Sequence, residues 1–310
     1  MTEKKMSFLK RFLIYQKERF PLVQNSMFLA AFSFSAISYS RICRGEEGFV
    51  QMKLFVSAAI TTITLFFLLR IADEFKDREE DAKYRPHLPV PRGLISFKEL
   101  KIMAIITLVI QIIINVILTP KMLIWLLIPQ FFFLLMLKEF FISKWLKKNW
   151  SIYVLSHMFF FPAIDIYSSG MDWYMEGPGY APFGMFFFFL VSYMNGIVWE
   201  IGRKIKTKEE EEHNSYTKLY GTRRAVWIWI TSISVAYIFS LMAAYYVNFG
   251  WLGAFILSFI YLSSLVYGII FLFHRTAKLS KLIEMASGSW GLFMYLTLGA
   301  LPMLIQLLNN

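Results

Sequence analysis

The chain has 310 residues, of which 57% are hydrophobic, and its mean hydropathy is +0.52. A soluble domain contains about 45–50% apolar residues even when glycine is counted, so one water-soluble core cannot hide this much apolar surface. The net charge of +11 would suit a nucleic-acid partner, but the positions of the charges argue against one. The single cysteine, Cys43, excludes an intrachain disulfide and a cysteine-rich metal site.

Long uncharged runs dominate the chain, and a helix that spans a bilayer needs about 20 such residues. The longest run, 225–273, exceeds one span, and Asn248-Phe249-Gly250 divides it in two. The sequence therefore predicts an all-α, polytopic membrane bundle of about nine transmembrane helices. This bundle forms one domain at 20–310, after a basic, amphipathic segment at 1–19. The runs are 20–40, 54–69, 102–120, 122–137, 149–164, 177–199, 225–273 and 285–310.

Lysine and arginine are distributed unequally between the two sets of loops. With the N-terminus taken as cytosolic, the loops on its side contain 26 Lys and Arg residues, and the opposite loops contain only Arg41, Arg44 and Lys121. Basic residues favour the cytosolic side. The sequence thus predicts a cytosolic N-terminus, an outside C-terminus and two long cytosolic loops at 73–98 and 202–224.

An acidic stretch opens the first long loop. Asp73, Asp77 and Asp81 are spaced i, i+4 and i+8, so a helix that continues past the membrane would place all three carboxylates on one face. Mg²⁺ typically takes one or two carboxylates, waters and phosphate oxygens. The stretch therefore predicts a holder for a Mg²⁺-bound diphosphate. The alternative is a solvated helix end with salt bridges to the neighbouring cations Lys76, Arg78 and Lys83.

Cations follow the acidic stretch directly. Lys83, Arg85 and Arg92 suit phosphate oxygens, and arginine can bind them in a bidentate manner. The prolines between 86 and 91 and the glycine at 93 indicate a stiff loop. Lys138 and Glu139, at the cytosolic end of the fourth predicted span, are either interface anchors or residues that border the same site.

These residues resemble the first signature of the UbiA superfamily of intramembrane prenyltransferases. That signature reads Asn-Asp-x-x-Asp-x-x-x-Asp, followed by Arg-Pro-x-x-Pro-x-Gly. Asp73-Glu74-x-x-Asp77-x-x-x-Asp81 fits it with conservative replacements, and Arg85-Pro86 and Pro91-Arg92-Gly93 fit with a slightly longer insert. The resemblance implies nine transmembrane helices, an aspartate-rich motif after helices two and six, Mg²⁺ as cofactor and an isoprenyl diphosphate as substrate.

The second signature of the family, Asp-x-x-x-Asp, is altered. Glu200 stands at the first position and Lys204 at the second, with Arg203 beside it. The exchange replaces a metal ligand with a direct cationic partner for phosphate. The sequence therefore leaves open whether the site holds one metal ion or two. The acidic run Glu209 to Glu212 is either a solvated loop or a further source of carboxylates.

The resemblance implies Mg²⁺-dependent transfer of an isoprenyl group to an unidentified, aromatic or lipid-like acceptor, in a bacterial-type inner membrane. The alternative is a catalytically inactive relative that binds or transports a lipid or a metal ion, an interpretation supported by Lys204. The two polar loops are expected to converge on one cytosolic cavity. The expected metal ligands are Asp73, Asp77, Asp81 and Glu200. The expected catalytic residues are Asp73, Asp77, Arg203 and Lys204, and the expected substrate-binding residues are Lys83, Arg85, Arg92 and Lys138.

Overall fold

The structure is a computed structural model that describes residues 6–207 and 215–309, with the backbone alone at Lys147. Within these ranges the chain is mostly helical, with loops between the helices, and contains no strand. The predicted all-α class is confirmed. In chain order the helices are α1 Phe8–Arg19, α2 Leu22–Cys43, α3 Met52–Lys76, α4 Arg78–Tyr84, α5 Phe97–Leu118, α6 Leu123–Leu137, α7 Ser143–Lys148, α8 Trp150–Met158, α9 Phe160–Trp173, α10 Met185–Gly202, α11 Tyr216–Tyr220, α12 Thr222–Tyr246, α13 Gly250–Phe273, α14 Ala277–Tyr295 and α15 Leu301–Asn309.

The helices of the described chain form a polytopic membrane bundle. Seven helical segments are long and apolar enough to cross a membrane, and an eighth follows if the bent pair α1 and α2 is one span. These two helices meet at 55°. The last span runs from Ala277 to Asn309 and combines α14 and α15 through a π-helical turn, Leu296–Ala300.

The predicted spans match the helices in position, with one difference in the middle of the chain. The break inside 225–273 is where the sequence predicted it, and Asn248 and Gly250 both have positive φ there. The fifth predicted span, 149–164, is instead part of two consecutive helices, α8 of 9 residues and α9 of 14 residues. Neither is long enough to span alone. α9 also extends beyond the predicted end, to Trp173.

Helix α9 lies at the centre of the bundle and packs against α2, α3, α6 and α10. Several of its polar side chains find partners inside the bundle, because an apolar bundle offers no water to them. The Tyr167 hydroxyl donates to Asn115 Oδ1 at 2.6 Å, and Thr61 Oγ1 lies 3.1 Å from it. Outer helices such as α5 and α13 instead expose isoleucine and phenylalanine side chains, as expected of a lipid-facing surface.

A buried ion-pair cluster joins α2 to α9 at the end of the bundle where α2 ends. The fully buried carboxylate of Asp172 accepts hydrogen bonds from Arg41 Nη1 at 3.2 Å and from Arg44 Nε and Nη2, both at 3.0 Å. Glu176 accepts from Arg41 Nη1 at 3.1 Å and from the backbone N–H of Gln51 at 3.0 Å. The Asp172 cluster therefore fixes the connection between α2 and α3 against α9.

We expect Asp172→Ala to destabilise the bundle strongly, because Arg41 and Arg44 lose their buried partner. Removal of one member of a buried ion pair typically costs about 3–5 kcal/mol. The measurement is the midpoint of thermal unfolding in detergent micelles, with Glu176→Ala as the matched control. Glu176 is more exposed than Asp172, so its loss should lower the midpoint less. Equal shifts for the two variants would contradict the central role of Asp172.

Candidate functional site

The first acidic motif lies where α3 ends. α3 stops at Lys76, Asp77 interrupts the helix with φ −93° and ψ 10°, and α4 begins at Arg78. Each step of four residues turns a helix by about 40°, so two steps turn Asp81 by about 80° from Asp73. Asp81 is buried beside Glu74 at Arg19, whereas Asp73 is 35% exposed, so the structure does not group Asp81 with Asp73 as the sequence predicted. We call this end of the bundle the motif end.

Glu74 and Asp81 face the N-terminal helix and are compensated there. Arg19 Nε donates to Glu74 Oε1 at 2.6 Å, and Arg19 Nη2 lies 3.8 Å from Asp81 Oδ2. Arg70 Nε is 3.6 Å from Glu74, and Arg85 Nη1 donates to Asp81 Oδ1 at 3.2 Å. Both carboxylates are almost completely buried, at 1% and 3% side-chain exposure. These cations neutralise the two buried carboxylates.

Asp73 and Asp77 lie on the other side and are less compensated. Asp73 is 35% exposed, and its nearest ion-pair partner, Arg70 Nη2, is 3.8 Å away. Asp77 is half-buried, and no hydrogen bond or ion pair joins its side chain to another residue in 6–207 or 215–309. The two carboxylates are separated by one helical turn and repel each other. They are the pair at this end that is available to an external cation.

The second motif forms a compact ion-pair group at the end of α10. Glu200 accepts from Arg203 Nε at 2.7 Å, and Arg203 Nη2 is 2.5 Å from the same Oε2 oxygen. Lys204 Nζ lies 2.7 Å from the other oxygen, Oε1. One carboxylate thus holds two cations, and the group retains a net positive charge. Arg203 is 45% exposed, so its guanidinium can still reach a ligand.

Two aromatic residues of α8, Trp150 and Tyr153, connect the two motifs. Lys76 Nζ lies 5.7 Å from the centre of the Tyr153 ring, the Tyr153 and Trp150 rings are 4.9 Å apart, and Lys204 Nζ lies 4.3 Å from the centre of the Trp150 ring. Lys76 Nζ also contacts the Tyr153 hydroxyl at 3.4 Å. We call this pair the aromatic bridge. It connects the end of α3 to the end of α10 through Lys76 and Lys204.

The charges of the two motifs interact across the aromatic bridge. Partial burial lowers the pKa of the Arg203 guanidinium, but the carboxylates of Glu200 and Asp73 outweigh that effect and raise its pKa. The negative charge of Asp73 at the end of α3 therefore interacts with the positive charge of Arg203 at the end of α10.

The other predicted substrate-binding cations have protein contacts of their own or lie at the surface. Arg85 binds Asp81, as described above. Arg92 donates from Nη1 and Nη2 to Glu18, at 2.8 and 2.9 Å. Lys83 is exposed, with its Nζ 4.9 Å from the centre of the Tyr84 ring. Lys138 is exposed at the end of α6. The acidic run Glu209 to Glu212 lies outside the described residues.

Several residues of the motif end were not singled out by the sequence. Trp150 and Tyr153 begin the fifth predicted span, but aromatic residues are common at any membrane boundary, so their position alone indicated nothing specific. Tyr216 stacks beside Trp150, and burial raises the pKa of its hydroxyl. Arg19 belongs to the N-terminal segment, to which the sequence assigned no specific role. Glu139, by contrast, was expected with Lys138, and it pairs with Lys76 Nζ at 3.6 Å.

The exposed carboxylates suit Mg²⁺ that arrives with a phosphate group. Within residues 6–207 and 215–309, no three His, Cys, Asp or Glu side chains are grouped so that they could hold a metal ion. Mg²⁺ does not need such a group, because it takes one or two carboxylates and completes its shell with waters and substrate phosphate oxygens. Asp73 and Asp77 provide two carboxylates, and no cation in the described part of the chain, 6–207 and 215–309, pairs with Asp77. The donor set therefore fits Mg²⁺ bound together with a diphosphate.

Comparison with known proteins identifies the family. The model of the UbiA prenyltransferase family matches residues 32–287. The chain belongs to this family. The solved structure of a digeranylgeranylglyceryl phosphate synthase in membranes is similar to this UbiA-family protein with a TM-score of 0.57 and 16% sequence identity, over 90% of this chain and 99% of that chain. At that identity the likeness concerns the fold. No curated protein sequence matches the chain.

Family and fold together make the protein an integral, multi-pass membrane protein, and they support prenyl transfer as its general activity. Its motif end contains the two segments, Asp73 to Asp81 and Glu200 to Lys204, that resemble the signatures of the family. The second signature departs from the family pattern at Lys204, and the structure places that lysine on Glu200 and Trp150.

The convergence of the two motifs can be tested by cross-linking. In a Cys43→Ser background, we expect cysteines at Lys76 and Lys204 to be joined by a short bis-maleimide, because the aromatic bridge holds these positions close together. Cysteines at Lys76 and Lys121 form the control pair, since Lys121 lies at the opposite end of the bundle, where α6 begins. The linked peptides are identified by mass spectrometry after proteolysis. Failure of the first pair, or equal yields from both, would contradict the arrangement.

Proposed function

We propose that the protein transfers an isoprenyl group from a prenyl diphosphate to an aromatic or lipid-like acceptor within the membrane, with Mg²⁺ as cofactor. The observation that carries this proposal is the position of two available carboxylates, Asp73 and Asp77, opposite two cations, Arg203 and Lys204. A Mg²⁺-bound diphosphate presents a cation and an anion side by side, and these two halves complement them. Membership of the UbiA family supports the same conclusion.

In the proposed reaction the allylic carbon–oxygen bond breaks, and its electron pair leaves with the diphosphate. The acceptor then forms a bond to that carbon and releases a proton. Mg²⁺, when bound by Asp73 and Asp77, would supply charge neutralisation for the departing diphosphate. Arg203 and Lys204 act on the same developing negative charge, as preorganised cations that need no rearrangement during the reaction.

The aromatic bridge has two proposed roles. Its rings lie between the motifs, so they exclude water from the space next to the reacting carbon. Aromatic faces also stabilise a nearby positive charge by about 0.5–2 kcal/mol, and the allylic carbon becomes positive as the diphosphate departs. Trp150 has a further role in the resting site, because one face of its ring holds the Lys204 ammonium in place.

Glu200 is better explained as a holder of cations than as a metal ligand. Both of its oxygens are already in contact with Arg203 or Lys204 at 2.5–2.7 Å. A metal ion at Glu200 would have to displace both cations. Asp81 is likewise paired with Arg85 and close to Arg19. We therefore propose a single Mg²⁺ at Asp73 and Asp77, with Arg203 and Lys204 in place of the second metal.

The predicted cations of the first loop receive proposed roles that follow from their contacts. Arg85 and Arg92 hold the loop through Asp81 and Glu18, and we propose that they adjust to the diphosphate when it binds. Lys83 and Lys138 are exposed. We propose that they attract the anionic substrate to the site through long-range electrostatic interaction.

We further propose that the motif end faces the cytosol, that the C-terminus lies outside and that the membrane is a bacterial-type inner membrane. The distribution of 26 Lys and Arg residues against 3 supports this orientation. A prenyl diphosphate made in the cytosol would then meet the site directly.

A second candidate function is binding or transport of a lipid or metal ion without catalysis. The ion pairs of Glu200 with Arg203 and Lys204 favour this second function, because the three charges neutralise one another in part without a ligand. Mg²⁺-dependent release of diphosphate from an added prenyl diphosphate separates the two functions, since only the transferase breaks the carbon–oxygen bond.

If Asp77 holds the metal ion, Asp77→Ala should reduce Mg²⁺-dependent diphosphate release by about a hundredfold or more. Glu79→Ala is the matched control, because it removes an exposed carboxylate two residues away on α4. The measurement is diphosphate release by purified, correctly inserted protein. Parental activity in Asp77→Ala would remove this residue from the site.

The role of Lys204 can be tested with Lys204→Asp, which restores the carboxylate of the family pattern. The local charge falls by two units, so at low Mg²⁺ the variant should bind a prenyl diphosphate more weakly than the parent. At high Mg²⁺ a recruited ion should restore binding and steepen the metal dependence. Affinity is measured across a Mg²⁺ titration, with exposed Lys218→Asp as the control. Identical curves for Lys204→Asp and the parent would show that Lys204 does not face the diphosphate.

A further inference from the structure

We propose that Arg19, at the end of the N-terminal helix α1, is a positioning residue that sets the first aspartate motif for metal binding; this inference rests on the proposed function. Its guanidinium lies 2.6 Å from Glu74 and 3.8 Å from Asp81. These two carboxylates stand on opposite sides of the interruption at Asp77. One buried cation therefore joins the end of α3 to α4.

The geometry of the helix determines which groups surround Asp77. Glu74 points towards α1, and Asp73, which is turned by about 100° from it, points towards the aromatic bridge. Arg19 holds Asp81 on the Glu74 side. Asp77 lies between the two halves, and no cation in residues 6–207 or 215–309 pairs with it. Without Arg19, Glu74 and Asp81 would be two buried carboxylates with reduced compensation, and α4 would move away from α3. That movement would change the separation of Asp73 and Asp77.

Helix α1 is well fixed for this role. Arg11 Nη1 and Nη2 donate to Glu99 at 3.1 and 2.6 Å, and Glu18 accepts two hydrogen bonds from Arg92. On α1, Arg11 is the cation of one pair and Glu18 is the carboxylate of the other. Because the two charges differ in sign, only one position of α1 along its partners satisfies both pairs. Tyr15 is fully buried in a hydrophobic cluster with residues of the loop before α5, such as Leu94.

The family match does not assign this role, because residues 32–287 exclude α1. In this protein the first motif is nevertheless held by Arg19, which belongs to α1 and so precedes the matched residues. Arg19 makes no contact with Asp73 or Asp77 among its ion pairs. It therefore acts through Glu74 and Asp81, and its effect should appear in metal dependence.

The first experiment does not depend on activity. Hydrogen–deuterium exchange of the α4 amides is compared in the parent, Arg19→Gln and the matched control Lys17→Gln, which changes an exposed residue of the same helix. We expect exchange in Arg19→Gln to be faster by about tenfold or more, the size expected for the loss of a hydrogen bond between charged groups. Lys17→Gln should exchange like the parent. Equal exchange in all three proteins would overturn the proposal.

The second experiment measures Mg²⁺-dependent diphosphate release. In Arg19→Gln the half-saturating Mg²⁺ concentration should rise by about tenfold, Arg19→Lys should restore part of the difference, and Lys17→Gln should leave the curve unchanged. Arg19→Gln combined with Glu74→Gln should return the curve towards that of the parent, because the uncompensated carboxylate is gone. A general loss of folding would not be relieved in this way. An unchanged Mg²⁺ curve in Arg19→Gln would overturn the proposal even if exchange increases.

The two experiments separate failure of this inference from failure of the proposed function. A parent protein that releases no diphosphate at any Mg²⁺ concentration refutes the transferase, while the exchange data still decide whether Arg19 holds α4. An active parent with unaltered Arg19→Gln behaviour refutes the positioning role alone.

Discussion

Compensation of buried carboxylates determines how the motif end is organised. A carboxylate that is removed from water needs a cation or hydrogen bonds, because its desolvation is otherwise too costly. Glu74 and Asp81 meet this requirement with Arg19, Arg70 and Arg85. Glu200 meets it with Arg203 and Lys204, which follow the end of α10. The carboxylates left over, Asp73 and Asp77, are those near the surface, and they are the ones that a ligand-borne cation can reach.

Much of the fold could be predicted from the sequence because lipid imposes a simple rule on the chain. Spans must be long and apolar, so hydropathy located most helices, and the break at Asn248 was visible as a turn signal. α9 could not be predicted in full, since the uncharged run ended before Asp165 and the helix continues to Trp173. The charge of Asp172 is tolerated there because Arg41 and Arg44 of another helix neutralise it. Such compensation depends on tertiary contacts that hydropathy does not contain.

The candidate site was predicted in part, for similar reasons. Glu200 and Lys204, four positions apart at the end of α10, contact each other as their spacing favours. Asp81 is separated from Asp73, and a contact from outside the helix, with Arg19, holds it there. Arg19 lies 55 residues from Glu74 in the sequence, and no periodic pattern connects positions so distant. Trp150 also gave no distinct signal, because aromatic residues at membrane boundaries usually serve as anchors. Only the fold revealed that this one lies between the motifs.

The arrangement of charge across the aromatic bridge bears on which ligand the site would favour. Free Mg²⁺ would be attracted by Asp73 and Asp77 but repelled by Arg203 and Lys204, which lie close by. A free diphosphate would be attracted by Arg203 and Lys204 but repelled by Asp73 and Asp77. A Mg²⁺–diphosphate complex aligns its cation with the carboxylates and its anionic oxygens with the guanidinium and ammonium groups, so both contacts are favourable together. Replacement of the family's carboxylate by Lys204 therefore strengthens one half of a dipolar site, and on electrostatic grounds it is compatible with retained prenyl transfer.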